Sequence, residues 1–182
     1  ALAEGREGTR VPGALDPFII AIRAVLGHQV TVRQATAQAG RLVGRFGDPM
    51  PEGAPEGLTH TFPTPTALAA LTQDDIASLG MPGTRARTII GLAQAVASGG
   101  IRLTPGVRIE ETVAALAELP GFGPWTRAYI ALRALADPDA FAVGDAGLAR
   151  ALGTRDPKQM LAIAEQWRPW RAYAATLLWE GA

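Results

Sequence analysis

Between two helical patterns lies Leu119-Pro120-Gly121-Phe122-Gly123-Pro124-Trp125, a stretch suited to presenting backbone rather than side chains. Two glycines one residue apart allow a sharp bend and a close approach to a ligand, and Pro124 suits the first turn of a following helix. The pattern predicts a helix–hairpin–helix running from Glu110–Glu118 through the hairpin into Thr126–Leu135. At such a helix start the first N–H groups lack intrahelical partners and the dipole is positive, so a phosphate is the natural guest. That contact grips a nucleic-acid backbone without reading its sequence. An ordinary corner between two packed helices would use the same residues, and the motif alone leaves both readings open.

The inventory of reactive side chains is short. The absence of Cys excludes disulfides, Cys-ligated iron–sulfur clusters and zinc sites built on Cys. His28 and His60 are the only histidines, too few for a metal site made of His alone, and Lys158 is the only lysine. Net charge is zero, which argues against a uniformly basic nucleic-acid binder, yet the charge is uneven. Between Asp16 and Asp48 there are Arg23, Arg33, Arg41 and Arg45 but no acid; between Asp75 and Glu110 there are Arg85, Arg87, Arg102 and Arg108, again without one. Two local basic stretches would suit one phosphate backbone, or be scattered solvated positions. No apolar run reaches membrane length and no signal peptide opens the chain, so the expectation is a soluble, cytoplasmic protein with no membrane partner. The first residue is Ala1, which admits a processed form or a piece of a longer protein.

The elements that must position these residues are helical. The chain has 182 residues, 48% of them hydrophobic with Ala and Leu dominant, enough for a sizeable core. Residues 1–14 are polar and Gly-rich, a loosely attached lead-in. Asp16-Pro17 starts a helix whose Phe18, Ile19, Ile22, Val25 and Leu26 recur at helical spacing. His28-Gln29-Val30 makes a turn, and Thr31 caps a second helix to about Phe46. Residues 47–64 are an irregular loop rich in Pro and Gly. Short helices are expected from Pro65 to Leu71 and Asp74 to Leu79, and a longer one from Gly83 towards Gly99. Beyond the hairpin, a loop from Asp137 ends at Asp145, an N-cap candidate for Ala146–Leu152, before helices near Pro157–Gln166 and Pro169–Gly181. No strand is expected.

The order Leu-Pro-Gly-Phe-Gly-Pro-Trp-Thr-x-x-Tyr from Leu119, then Asp137-Pro138-Asp139-Ala140-Phe141, then Gly144-Asp145-x-Gly147-Leu148 resembles the helix–hairpin–helix (HhH-GPD) DNA glycosylase superfamily. Asp16–Val32 and Trp167-Arg168-Pro169-Trp170-Arg171-x-Tyr173 look like its AlkA-type branch, the 3-methyladenine DNA glycosylases II. The resemblance covers roughly residues 12–182. It implies an all-α fold of two helical subdomains with a cleft between them: residues 18–137 ending in the helix–hairpin–helix, and 138–182 carrying the catalytic aspartate, with residues 1–17 packing against the latter.

The resemblance also implies an activity and its residues. The enzyme would act as a monomer on double-stranded DNA in base excision repair, flipping out alkylated purines such as 3-methyladenine or 7-methylguanine and hydrolysing the N-glycosidic bond. Asp145 would be the catalytic carboxylate, stabilising positive charge on the deoxyribose, with a helix N-terminus supporting its own charge. Trp125, Tyr129 and Trp179 would line the base pocket. Electron-rich rings attract a cationic purine by roughly 0.5–2 kcal/mol per contact and stack bases for about 1–3 kcal/mol, comparable with the few kcal/mol needed for flipping. Leu119, Pro120, Gly121, Phe122 and Gly123 would hold phosphate. His28 and Gln29 occupy the turn that supplies a duplex wedge. Family members often show Gln-Gln or Gln-Leu there, and Gln29 is the candidate plug.

Strand-cleaving members carry a lysine directly after the hairpin; here that residue is Trp125, which implies a monofunctional enzyme leaving an abasic site. No redox cofactor or catalytic metal is implied, while a monovalent cation on the hairpin carbonyls fits the resemblance. The AlkA-type enzyme also has an N-terminal β-rich domain, for which residues 1–14 are too short. Two other readings stay open: a non-catalytic hairpin DNA-binding module of a larger repair protein, in which Asp145 is only a cap, and a glycosylase for oxidised or deaminated bases.

Overall fold

The computed structural model describes residues 2–104 and 106–181. Its described residues form ten α-helices and no strand. An isolated antiparallel bridge between Pro49 and His60 closes the loop over residues 47–64. Among the described residues, no helix is long and apolar enough to cross a membrane.

Helix starts follow the local chemistry of the chain. Helix α1 (Pro17–Leu26) begins where Asp16 Oδ1 accepts the Phe18 N–H at 2.8 Å. Helix α2 (Val32–Phe46) opens on a capping box in which Thr31 and Gln34 satisfy each other's backbone N–H groups. Thr64 and Thr72 cap α3 (Pro65–Ala69) and α4 (Gln73–Ala77) in the same manner, by side-chain oxygen to backbone N–H.

Two compact units divide the chain. One comprises residues 21–102 and 118–121. In it α3 and α4 pack on α5 (Gly83–Ala97), and Leu68, Ile76, Ile89 and Leu92 are fully buried. Each such side chain contributes roughly 1.5–3 kcal/mol relative to exposure. Three arginines of the acid-free stretches are engaged within this unit. Arg41 Nε donates to the Leu79 carbonyl at 2.8 Å, Arg87 Nε to Gln73 Oε1 at 3.3 Å, and Arg85 holds His28 and Gln38.

The other unit comprises residues 1–20, 103–117 and 122–182. Helix α6 (Ile109–Ala117) packs on α7 (Pro124–Arg133), and α8 (Ala146–Leu152) on α10 (Arg171–Glu180). Helix α9 (Pro157–Ala164) continues into a 3-10 turn, Glu165–Trp167. Ala131 and Leu132 of α7 join Phe141, Leu148, Met160 and Ala172 in one buried cluster, with Ile109 and Val113 of α6 packed against it. That shared core draws both hairpin helices into the C-terminal unit, whereas the sequence placed the boundary at residue 137.

The lead-in is also held more firmly than its composition suggested. Arg6 donates to the Leu177 carbonyl at 2.8 Å, Arg133 Nε to the Pro12 carbonyl at 2.8 Å, and Val11 packs on the cluster. At the start of α10, Arg171 grips Asp139 with two hydrogen bonds of 2.8 Å, and Arg168 adds a third at 2.6 Å. The Trp167–Tyr173 segment is thereby tied to the loop that leads into α8. Trp167 packs beside Phe141 at 6.3 Å, while Trp170 remains 58% exposed.

Candidate active site

Asp145 is the N-cap of α8, with extended backbone and a side chain turned back on the helix start. Its Oδ1 accepts the Gly147 N–H at 2.9 Å, the Leu148 N–H at 3.0 Å and the Trp179 Nε1–H at 2.8 Å. The Trp125 Nε1–H reaches Oδ2 at 3.3 Å. Among the described residues, then, four N–H groups converge on this carboxylate and no Lys or Arg pairs with it. Neutral dipoles stabilise an anion without cancelling its charge, which leaves it able to meet a cation.

The rings form a continuous group beside it. Trp125 and Tyr129 are one helical turn apart on α7 and stack with centroids 5.2 Å apart and planes 19° apart. Trp179 of α10 meets Tyr129 edge-on at 6.4 Å. The Arg133 guanidinium lies over the Tyr129 ring at 5.8 Å and donates to its hydroxyl at 3.4 Å. The three aromatic residues singled out in the sequence are therefore brought together with Asp145.

The first hairpin glycine is required by its surroundings. Gly121 has φ +91°, and a Cβ there would lie 2.3 Å from Thr88 Oγ1 and 2.9 Å from Thr88 Cγ2. Thr88 on α5 donates its hydroxyl to the Pro120 and Thr84 carbonyls, both at 3.1 Å. Leu119, Pro120 and Gly121 belong to the unit containing α5, and Phe122 and Gly123 to the other. Phe122 is buried, and Gly123, the N-cap of α7, brings no side chain to the N–H groups of the helix start.

His28 and Gln29 sit in the turn after α1. Gln29 is exposed and has φ +53°, a left-handed conformation that costs a residue with a Cβ roughly 1–2 kcal/mol. Arg85 fastens the turn: its guanidinium donates to the His28 carbonyl at 2.5 Å and to Gln38 Oε1 at 3.1 Å. Burial lowers the pKa of His28, and the neighbouring Arg85 charge lowers it further.

Comparison with known proteins places this geometry in a family. The model of the HhH-GPD superfamily of base excision DNA repair proteins matches residues 22–167. The chain belongs to that superfamily. It is 41% identical over 178 residues to the probable bifunctional transcriptional activator/DNA repair enzyme AlkA of Mycobacterium tuberculosis, covering 94% of this chain and 35% of that protein. Against DNA-3-methyladenine glycosylase 2 of Escherichia coli the identity is 35%, covering 98% of this chain and 62% of that enzyme. The chain thus spans between a third and two thirds of the curated relatives it matches. A 3-methyladenine DNA glycosylase from Archaeoglobus fulgidus has the same fold, with a TM-score of 0.78 at 21% identity over 98% of this chain and 63% of that one.

Within this HhH-GPD chain, several residues around the site escaped sequence reasoning. Gly147 and Asp139 stood in the motifs that carry the family resemblance but with no role of their own, and Arg133 lies one turn from Tyr129. What they share is a partner distant in sequence: Gly147 abuts Trp179, Arg133 holds Pro12, and Asp139 holds Arg171. Arg85 stood only in a list of basic positions. Its role depends on the His28 carbonyl, 57 residues away.

Proposed function

We propose that this chain is a monofunctional DNA glycosylase that releases alkylated purines of the 3-methyladenine and 7-methylguanine type from double-stranded DNA. The observation that carries the reading is an Asp145 carboxylate solvated by neutral N–H groups beside three electron-rich rings. An N-alkylated purine is cationic, and ring faces attract it by roughly 0.5–2 kcal/mol per contact. When the C1′–N bond breaks, its electron pair stays on the base, which leaves neutral, and positive charge passes to the deoxyribose. Asp145 stabilises that charge and takes a proton from the water whose oxygen bonds to C1′. The products are a free base and an abasic site.

The other residues have supporting parts in this reading. Leu119–Gly123 and the start of α7 grip a backbone phosphate, while Gln29, with His28 beside it, fills the space left by the flipped nucleotide. Trp125 stands where a Schiff-base lysine would be needed for strand cleavage, so the strand stays intact. The reaction needs no cofactor, and a monovalent cation on the hairpin carbonyls would assist the phosphate contact alone. Relatives named as 3-methyladenine glycosylases support the substrate class.

The test is release of free bases from methylated duplex DNA by this chain, by Asp145→Asn and by Trp125→Ala. Release of 3-methyladenine or 7-methylguanine, lowered roughly 10²–10³-fold by Asp145→Asn, is the expected result. DNA binding without base release by the unaltered chain would overturn the proposal in favour of a non-catalytic DNA-binding module.

A further inference from the structure

The two oxygens of Asp145 are not equivalent. A carboxylate offers about four acceptor positions, two on each oxygen. Oδ1 takes three donors at 2.8–3.0 Å, from Trp179, Gly147 and Leu148, so it is saturated. Oδ2 takes, among the described residues, only the longer 3.3 Å contact from Trp125. Rotation of the carboxylate would break three short bonds at once, which leaves Oδ2 as the oxygen with a lone pair to spare.

Trp179 reaches Oδ1 because residue 147 has no side chain. A Cβ at Gly147 would lie 2.9 Å from Trp179 Cδ1, 3.2 Å from its Nε1 and 3.2 Å from Asp145 Oδ1. The clash is with a half-buried ring rather than with the end of a flexible chain, so the indole would have to move. The indole therefore meets Asp145 through its N–H edge, a contact separate from any stacking of its face on a base.

We propose that Trp179 and Gly147 are positioning residues that lock Asp145 through Oδ1 and thereby present Oδ2 to the sugar and the incoming water. The inference rests on the reading of Asp145 as the catalytic carboxylate. It predicts that Trp179 acts mainly on the rate of the bond-breaking step, where a stacking role would act on binding.

The experiment compares Trp179→Phe, Gly147→Ala, their double variant and Asp145→Asn in single-turnover base release from a duplex carrying one 7-methylguanine, with thermal unfolding verifying that each is folded at the assay temperature. Trp179→Phe keeps a ring and removes the N–H. Its expected effect is a roughly 10- to 100-fold lower maximal rate, the range for losing a hydrogen bond to a charged group, with the half-saturating DNA concentration changed less than about threefold. Gly147→Ala lowers the rate in the same direction, and adds little in the Trp179→Phe background, because both act through one contact. In the ¹H–¹⁵N spectrum the Trp179 Nε1–H resonance, identified by its loss in Trp179→Phe, moves upfield in Asp145→Asn.

Trp179→Phe at the unaltered rate, Gly147→Ala acting equally in both backgrounds, or an unmoved indole resonance in Asp145→Asn would each overturn the inference. Inactivity of Asp145→Asn beside full activity of Trp179→Phe would overturn it alone. Full activity of Asp145→Asn would overturn the catalytic reading of Asp145 together with it.

Discussion

Asp139 and Asp145 lie six residues apart in one unit, and their carboxylates are engaged by opposite kinds of partner. Asp139 meets two guanidiniums, a two-bond grip from Arg171 and a further bond from Arg168. Burial pushes its pKa up, but the hydrogen bond and charge of Arg171 and the charge of Arg168 outweigh it and hold the group below the ordinary carboxylate value. Asp145 meets backbone and indole N–H groups, none of which carries a formal charge. A carboxylate neutralised by arginines is finished as a structural tie. One held by neutral dipoles is oriented, yet keeps its charge for something still to arrive.

The sharpest way to break this contrast is to remove each charge and ask what fails. Asp145→Asn keeps a side-chain oxygen for the helix cap, and Asn caps about as well as Asp. We expect base release to fall roughly 10²–10³-fold, equivalent to about 3–4 kcal/mol, while the melting temperature stays within about 2 °C of the unaltered chain. Equal losses of activity and stability would erase the distinction.

Asp139→Asn should show the reverse pattern. Losing the charge-assisted grip on Arg171, whose side chain is 13% exposed, costs about 1–3 kcal/mol, a drop of several degrees at roughly 2–4 °C per kcal/mol for a chain of this size. Base release per folded molecule should change less than about threefold. Arg171→Lys keeps the charge and loses the planar two-bond geometry, so its destabilisation should be about half as large by the same unfolding measurement.

The smallest effect lies in acid. Because the folded state holds Asp139 below 3.8, the unfolded chain binds more protons as pH falls, so the stability from this group is full above 3.8 and is lost as pH drops through the lower folded value. Unfolding followed across that range should show a shallower acid loss in Asp139→Asn. An identical acid limb would mean that the arginines do not hold the charge as described.

Much of the fold was legible because its signals are local. Asp16 ahead of Pro17, Thr31 ahead of α2 and Pro124 at the start of α7 act within one turn of the chain, and those helices begin where these residues stand. Asp145 was legible as a cap for the same reason. The unit boundary was not, since Ala131 and Leu132 reveal their side of the molecule only by packing with Phe141, Leu148 and Met160. Asp139 and Gly147 were visible as motif positions but their parts were not, for their partners Arg171 and Trp179 lie 32 residues away in each case. The spacing Gly121-Phe122-Gly123 announced a bend, but only Thr88 on α5 explains why its first residue has no room for a side chain.

The four tryptophans divide into two at the Asp145 carboxylate and two elsewhere on the C-terminal helices, and this division makes the protein its own optical probe. Trp125 and Trp179 each have the indole N–H directed at Asp145, while Trp167 lies beside Phe141 and Trp170 beside Tyr173. Indole emission responds to stacking on the ring and to hydrogen bonding at its N–H. Replacing Trp167 and Trp170 with phenylalanine would leave fluorescence originating at the carboxylate alone, so that arrival of a base and its departure could be followed in real time without a label on protein or DNA.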